Sequence, residues 1–345
     1  MTESTDEKIK SFLDTCLKGR GFEIVRLAGD ASTRVYYRVA VQGGSKRGRQ
    51  TLVLMHMAEP DPDPLFIGVQ QVLHSAGVPV PAIHGFDPGL GLMLLDDFGD
   101  ITLEQAVSGA DEQHWLALYL KSVQIMADIQ FKGMAQRGEC PHPCFSLAFD
   151  TDKLMYEMDF FVEHVLRIWK EAEFKPGEER ALRGELEALC AELAAEPRVL
   201  CHRDYHSRNL MVLEDGELGV IDFQDARMGP CQYDLVSLLH DSYVDMPQTV
   251  REQVYDAYVQ RLEIELPGGL DKDHFYNIYL LMVLQRNLKA AGSFAYLDCV
   301  KNMNRYLARM PQCLGHVRAA FERLPAKARL MELLESYLPE LGRTG

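Results

Sequence analysis

His202-Arg203-Asp204-Tyr205-His206-Ser207-Arg208-Asn209, followed by Ile221-Asp222-Phe223, is the stretch on which the fold turns. Its residue types suit one chemistry. A hydroxyl that attacks a phosphoryl group needs a carboxylate to orient it and take its proton, a role Asp204 fits. A hard divalent cation wants oxygen donors, and the amide oxygen of Asn209 and the carboxylate of Asp222 supply them. A loop from Asp204 to Asn209 can present both side chains to one cleft, with Asp222 arriving at the end of a second short apolar strand. Any one of these groups is weak evidence. All three in register give the pattern H-R-D-x-x-x-x-N plus a downstream D-F, the catalytic set of protein-kinase-like enzymes.

Outward from this loop, the chain divides by texture. Before it, Glu23–Leu27, Arg34–Val41, Thr51–Met57, Ile83–Phe86 and Leu92–Leu95 are β-branched, aromatic or alternating and read as strands. A helix is expected at Leu65–Ala76, stopped by Gly77-Val-Pro-Val-Pro81. After Asp96-Asp97-Phe98-Gly99 the periodicity becomes helical. In Glu112–Phe131, Leu116, Tyr119, Leu120, Val123 and Met126 recur at three and four residues, and Leu182, Leu186, Leu189 and Leu193 repeat the stripe in Glu178–Ala195. Further helical patterns cover Val250–Leu262, Asp271–Ala291 and Leu330–Leu338. The expected architecture is therefore α+β and bilobal: a small sheet lobe over residues 1–95 that takes nucleotide, and a larger helical lobe over 96–345 that carries catalysis and substrate. A hinge lies near 94–100, and a cleft between two lobes is a common ligand site.

Composition narrows the partners. The 345 residues are 47% hydrophobic and 25% charged, enough apolar material for a real core, and the net charge is −15. That balance argues against nucleic acid, whose phosphates need a basic surface. The N-terminus shows no secretory pattern, and no apolar run approaches the ~20 residues a membrane span requires. A cytoplasmic enzyme with a small-molecule substrate and no obligate protein partner is expected. The eight cysteines read as reduced thiols. Cys140-Pro-His142-Pro-Cys144 matches no justified zinc spacing and reads as a structural loop.

With these residues placed, the chain resembles the aminoglycoside phosphotransferase superfamily, and within it the AmgK-type anomeric sugar kinases. The likeness is carried by Gly29-Asp-Ala-Ser-Thr-Arg34-Val-Tyr36-Tyr-Arg38, Gly77-Val-Pro-Val-Pro81 and Leu94-Leu-Asp-Asp-Phe98-Gly-Asp100. It continues in His202–Met211, Ile221–Pro230 and Gln285-Arg286-Asn-Leu-Lys289. Most drug-modifying relatives carry Gly where this chain has Arg203. The resemblance implies a protein-kinase-like fold, ATP with Mg²⁺ as donor, and phosphorylation of N-acetylmuramate or N-acetylglucosamine at the anomeric hydroxyl in cell-wall recycling. A kinase for an aminoglycoside or a choline-like alcohol is the alternative, and a nucleotide-binding pseudokinase the alternative of another class. ATP contacts are expected from Ser32, Thr33, Arg34, Arg38, Asp96 and Phe98, and substrate contacts from Arg227 and Arg286. His202 and Asp234 read as support for the catalytic loop. One departure stands out: the strand position where kinases keep a phosphate-pairing lysine is Met55, and the following helix, Phe66–His74, offers glutamines where its glutamate partner would sit. Arg34 and Arg38 share a strand face with Tyr36 and are the candidates to replace that lysine.

Overall fold

The structure is a computed structural model that describes residues 5–27, 34–43, 50–61, 64–139, 142–266 and 268–342. Five strands, β1 (Phe22–Arg26), β2 (Val35–Val41), β3 (Gln50–His56), β4 (Ile83–Asp87) and β5 (Leu92–Asp96), form one sheet in the order β1-β2-β3-β5-β4. All four pairings are antiparallel. Strand alternation assigns its two faces. Val39, Val41, Leu52, Leu54, Leu92 and Leu94 face helix α1 (Thr5–Cys16) and bury with its Ile9, Phe12 and Leu13. Met55, Met93 and Leu95 face the other way, toward Phe66, Val69 and Leu73 of helix α2 (Leu65–Ser75). Met55 is thus fully buried in packing. Gln70 of α2 donates its amide to Pro81 O at 3.2 Å, tying the helix to the Val-Pro-Val-Pro segment.

The observed strand and α2 boundaries fall within two residues of the expected ones. α1 was not among the expected elements, although Ile9, Phe12 and Leu13 carry the i, i+3, i+4 spacing of a packed face.

After β5 come α3 (Leu103–Val107), α4 (Glu112–Ala127), the single turn α5 (Gly133–Ala135), α6 (Thr151–Phe161) and α7 (Glu178–Ala194). Then four short strands, β6 (Arg198–Cys201), β7 (Leu210–Val212), β8 (Leu218–Val220) and β9 (Arg227–Pro230), pair as β6-β9 and β7-β8. The chain closes with α8 (Gln232–Leu239), α9 (Gln248–Glu265), α10 (Lys272–Ala295), α11 (Met310–Phe321) and α12 (Ala328–Glu335). The leucine stripe expected in α7 is buried. The stripe expected for Glu112–Phe131 needs correcting. The α-helix ends at Ala127 and continues as a π-helical turn over Asp128–Lys132, and Leu120 is exposed while Trp115, Leu118 and Ser122 take the buried face. α10 is the core helix of this part: Leu280, Leu281, Met282, Val283, Leu284 and Leu288 are all buried. No helix among the described residues is long and apolar enough to cross a membrane.

The segment between β5 and α3 is stitched to both parts. Asp96 accepts from Ala82 N at 3.0 Å and from His84 Nε2 at 2.7 Å. A capping box between Thr102 and Gln105 starts α3. Val212 N donates to Ile101 O at 2.8 Å, and Val220 N donates to Pro79 O at 2.8 Å. Phe98 lies flat on Gly219 of β8, where an added Cβ would meet its ring at 2.4 Å. Gly219→Ala must therefore push Phe98 off the hairpin. The expected cost is about 1–3 kcal/mol of unfolding free energy, read as a lower urea midpoint; an unchanged midpoint contradicts the contact.

Candidate active site

The loop between β6 and β7 is held by carboxylates that themselves do no chemistry. Asp234, in the first turn of α8 and fully buried, accepts from His202 N at 2.6 Å and Arg203 N at 3.0 Å. Burial raises its carboxyl above the usual range, while these two N–H groups and the His202 ring work against that rise. His202 Nε2 meets Ile221 O at 2.9 Å, joining the β6–β7 loop to the segment that carries Asp222. Asp241, just past α8, accepts from Ser207 N at 2.9 Å and from Tyr243 N at 2.8 Å. These clamps force Arg203 into the left-handed region, with φ 87°. That costs a non-glycine residue roughly 1–3 kcal/mol. The side chain offers a return on it, because Arg203 bridges Asp225 at 2.8 Å and Asp204 at 3.7 Å.

Asp204 points its carboxylate at Lys289 of α10, 2.9 Å from Nζ. Burial alone would raise its pKa, but Lys289, Arg203 and Arg286 outweigh that and hold the carboxyl well below the usual range. Asp204 is therefore an ionised acceptor through neutral pH. Asn209 Nδ2 donates to Asp204 O at 2.8 Å, which leaves the Asn209 amide oxygen as a donor atom for a cation. Asp222, with φ 62°, takes Gln224 Nε2 on Oδ1 at 2.8 Å. Asn209 and Asp222 are joined through Ile221 N→Asn209 O at 3.0 Å.

Two cavities adjoin this loop. A cleft of about 660 Å³ opens beneath the sheet, lined by Tyr36, Val53, Leu95, Phe98, Asn209 and Asp222 among others. A smaller cavity of about 180 Å³ lies on the helical side, lined by Asp204, His206, Tyr243, Arg286, Lys289 and Ser293 among others. The sequence-derived set is thereby divided. Asp96, Phe98, Arg38, Asn209 and Asp222 line the first cavity; Asp204 and Arg286 line the second. Arg38 has its guanidinium bound by Asp97 at 2.6 and 3.1 Å and by Asp100 at 2.9 Å, so its charge is already answered by two carboxylates. Arg34 sits beside Tyr36, one residue before β2. Ser32 and Thr33 lie outside the described residues. Arg227 stacks at 5.4 Å on Phe149 and bonds Asp225 O at 3.1 Å, and it lines neither cavity. Cys140 is also outside the described residues; Cys144 N donates to His142 Nδ1 at 3.2 Å, and no metal-holding group of three His, Cys, Asp or Glu occurs among the described residues.

In the sequence Lys289 stands out only as the end of the Gln285–Lys289 block, with no role assigned to it, and Asp241 not at all. Lys289 had a signal: it lies three residues past Arg286, on the same helical face. Asp241 had none beyond following α8 by two positions.

The fold agrees with what the chain is similar to. The phosphotransferase enzyme family of aminoglycoside phosphotransferases matches residues 23–272, and the protein belongs to it. It is 31% identical to an N-acetylmuramate/N-acetylglucosamine kinase of Neisseria meningitidis serogroup B over 95% of this chain and 94% of the relative. It is 33% identical to a kinase of the same description from Pseudomonas aeruginosa, over 97% of each chain. The crystal structure of a thermostable mutant of aminoglycoside phosphotransferase APH(4)-Ia, in ternary complex with ADP and hygromycin B, shares the fold. It has a TM-score of 0.54 at 16% identity, with 90% of this chain and 98% of that one covered.

The Lys289 pair generates a prediction about pH. Removing a cation that favours the ionised form raises the carboxyl pKa. In Lys289→Met, the acid limb of the kcat/KM profile should move to higher pH by about 1–3 units. An acid limb that stays in place would separate Lys289 from Asp204 titration.

Proposed function

We propose that the protein transfers the γ-phosphoryl group of ATP to the anomeric hydroxyl of an N-acetylated amino sugar, as a step of cell-wall recycling. The observation that carries this reading is Asp204 held ionised by cations at the mouth of the smaller cavity. A carboxylate of low pKa is a weak base, and a hemiacetal hydroxyl is more acidic than an ordinary alcohol because the ring oxygen withdraws charge. The two suit each other. Two relatives described as N-acetylmuramate/N-acetylglucosamine kinases, matched end to end, support the same substrate class.

In this reading the cleft under the sheet takes the nucleotide. Phe98, Leu95 and Val53 offer an apolar slot for a base, with the backbone of residues 94–100 at its edge. Asn209 and Asp222 fit Mg²⁺: both present oxygen, and each has the rest of its polar group already bonded, which fixes its aim. When bound, the ion neutralises phosphate charge. Asp204 orients the sugar hydroxyl and accepts its proton, Lys289 keeps Asp204 ionised, and His206, which lines the same cavity, offers its unpartnered Nδ1 to a second sugar hydroxyl. The phosphate-pairing role expected of Arg38 has to compete with Asp97 and Asp100; Arg34, beside Tyr36, is the other arginine proposed for it.

The cavity also bears on the alternatives. Arg286 and Lys289 line it, and the Asp241 carboxylate that lines it is taken up by Ser207 and Tyr243. Such a lining disfavours choline-like and aminoglycoside cations. The purified protein should release ADP from ATP with N-acetylmuramate and N-acetylglucosamine, and not with choline or hygromycin B. Asp204→Asn should lower kcat by roughly 10²–10⁴-fold with the fold intact by circular dichroism. Turnover confined to choline or hygromycin B contradicts the sugar reading, and near-normal kcat in Asp204→Asn removes it as the base.

A further inference from the structure

Arg286 is a buried cation that makes no salt bridge among the described residues; Asp204, Glu157 and Asp234 act on it only from beyond ion-pair distance. It is 7% exposed. Nε donates to Ser237 Oγ at 2.8 Å, and the guanidinium stacks 4.7 Å above the Tyr233 ring. Nη1 is buried with no hydrogen-bond partner. Its neighbours, by contrast, each make a salt bridge: Arg203 with Asp225, Arg208 with Glu104, and Lys289 with Asp204. A guanidinium has five N–H donors in a planar fork that matches a carboxylate. Burying such a charge with part of its fork unbonded is costly, and a ligand carboxylate would complete it.

The position of Arg286 says which part of a ligand would do so. It lines the same 180 Å³ cavity as Asp204, three residues before Lys289 on α10. Side chains at that spacing have their Cβ atoms about 5–6 Å apart. Lys289 marks the carboxylate that receives the reacting hydroxyl. Arg286 therefore reaches from the same helical face into the cavity that would hold the rest of the ring.

The relatives' two sugars differ in one feature: N-acetylmuramate carries a lactyl ether with a carboxylate on C3, and N-acetylglucosamine has a bare hydroxyl there. We propose that Arg286 heads a carboxylate subsite, through which this protein prefers an acid-bearing amino sugar over the neutral one. The inference rests on the amino-sugar reading above and adds to it the group that is recognised and the residue that recognises it.

The test uses the intact protein and a matched ligand pair: N-acetylmuramate and its lactyl amide, which keeps shape and loses charge. Calorimetry and KM are measured for both, with N-acetylglucosamine turnover as reference. The unmodified protein should favour the acid over the amide by about ten-fold or more, the weight of one charge-assisted contact. In Arg286→Gln that ratio should collapse toward one, and Arg286→Lys should restore part of it. A residue that merely supports the fold would lower all three sugars together and leave the ratio alone. Equal affinity for acid and amide in the unmodified protein overturns the subsite, as does a ratio preserved in Arg286→Gln. Should that variant fail to fold, the acid–amide comparison on the unmodified protein decides by itself. If the sugars are phosphorylated without an acid preference, only the subsite fails. If no sugar binds or is phosphorylated, the amino-sugar reading fails and the subsite with it.

Discussion

The carboxylate of Asp234, accepting two backbone N–H bonds from His202 and Arg203, is the constraint on which the site depends. It fixes the exit of β6, obliges Arg203 to take a left-handed backbone, and so turns Asp204 toward the cavity. Asp241 repeats the device at Ser207, and its position just beyond the same helix means that α8 and its end hold the loop at two points. The loop is short and polar, yet it has almost no freedom, because its backbone donors are met by buried acceptors that water cannot replace. Proteins place strained residues at such positions only when the surroundings over-determine them.

The electrostatics follow from this placement. Asp204 lies among three cations, of which Arg203 is balanced by Asp225, while the Asp241 carboxylate is taken up by the Ser207 and Tyr243 amides. The result is an ionised acceptor beside a cavity with donor capacity to spare. The cleft beneath the sheet is the reverse: Asp96, Asp97, Asp100 and Asp222 line it, with Arg38 already bound. A cation brought with the nucleotide suits that side, and an anion-bearing acceptor suits the other.

Much of this was legible in the sequence because its signals are local. Arg34–Val41 and Thr51–Met57 alternate, so their strands and faces follow from period two, and the catalytic loop is recognisable from spacing alone. The helix α1 was missed because Thr5–Cys16 is largely polar, and its few apolar residues gain meaning only against the back of the sheet. The pairing of Arg38 with Asp97 and Asp100 joins residues 59 and 62 positions apart, which no window of sequence reveals. The Lys289–Asp204 contact spans 85 positions and depends on how α10 threads beneath the loop. Arg286 was visible as a charge; that it makes no salt bridge among the described residues is a property of packing, since its partners Tyr233 and Ser237 come from another helix.

Whether Asp204 directs phosphoryl transfer to an anomeric hydroxyl can be read from the position of the new phosphate. The protein is incubated with ATP, Mg²⁺ and N-acetylglucosamine labelled with carbon-13 at C1, and the product is examined by phosphorus NMR. Anomeric transfer gives a phosphorus signal split by the labelled carbon, and loss of the phosphate on mild acid treatment, as a glycosyl phosphate requires. An acid-stable phosphate with no coupling to C1 would place the transfer at another hydroxyl and contradict the pairing of a weak base with an acidic acceptor.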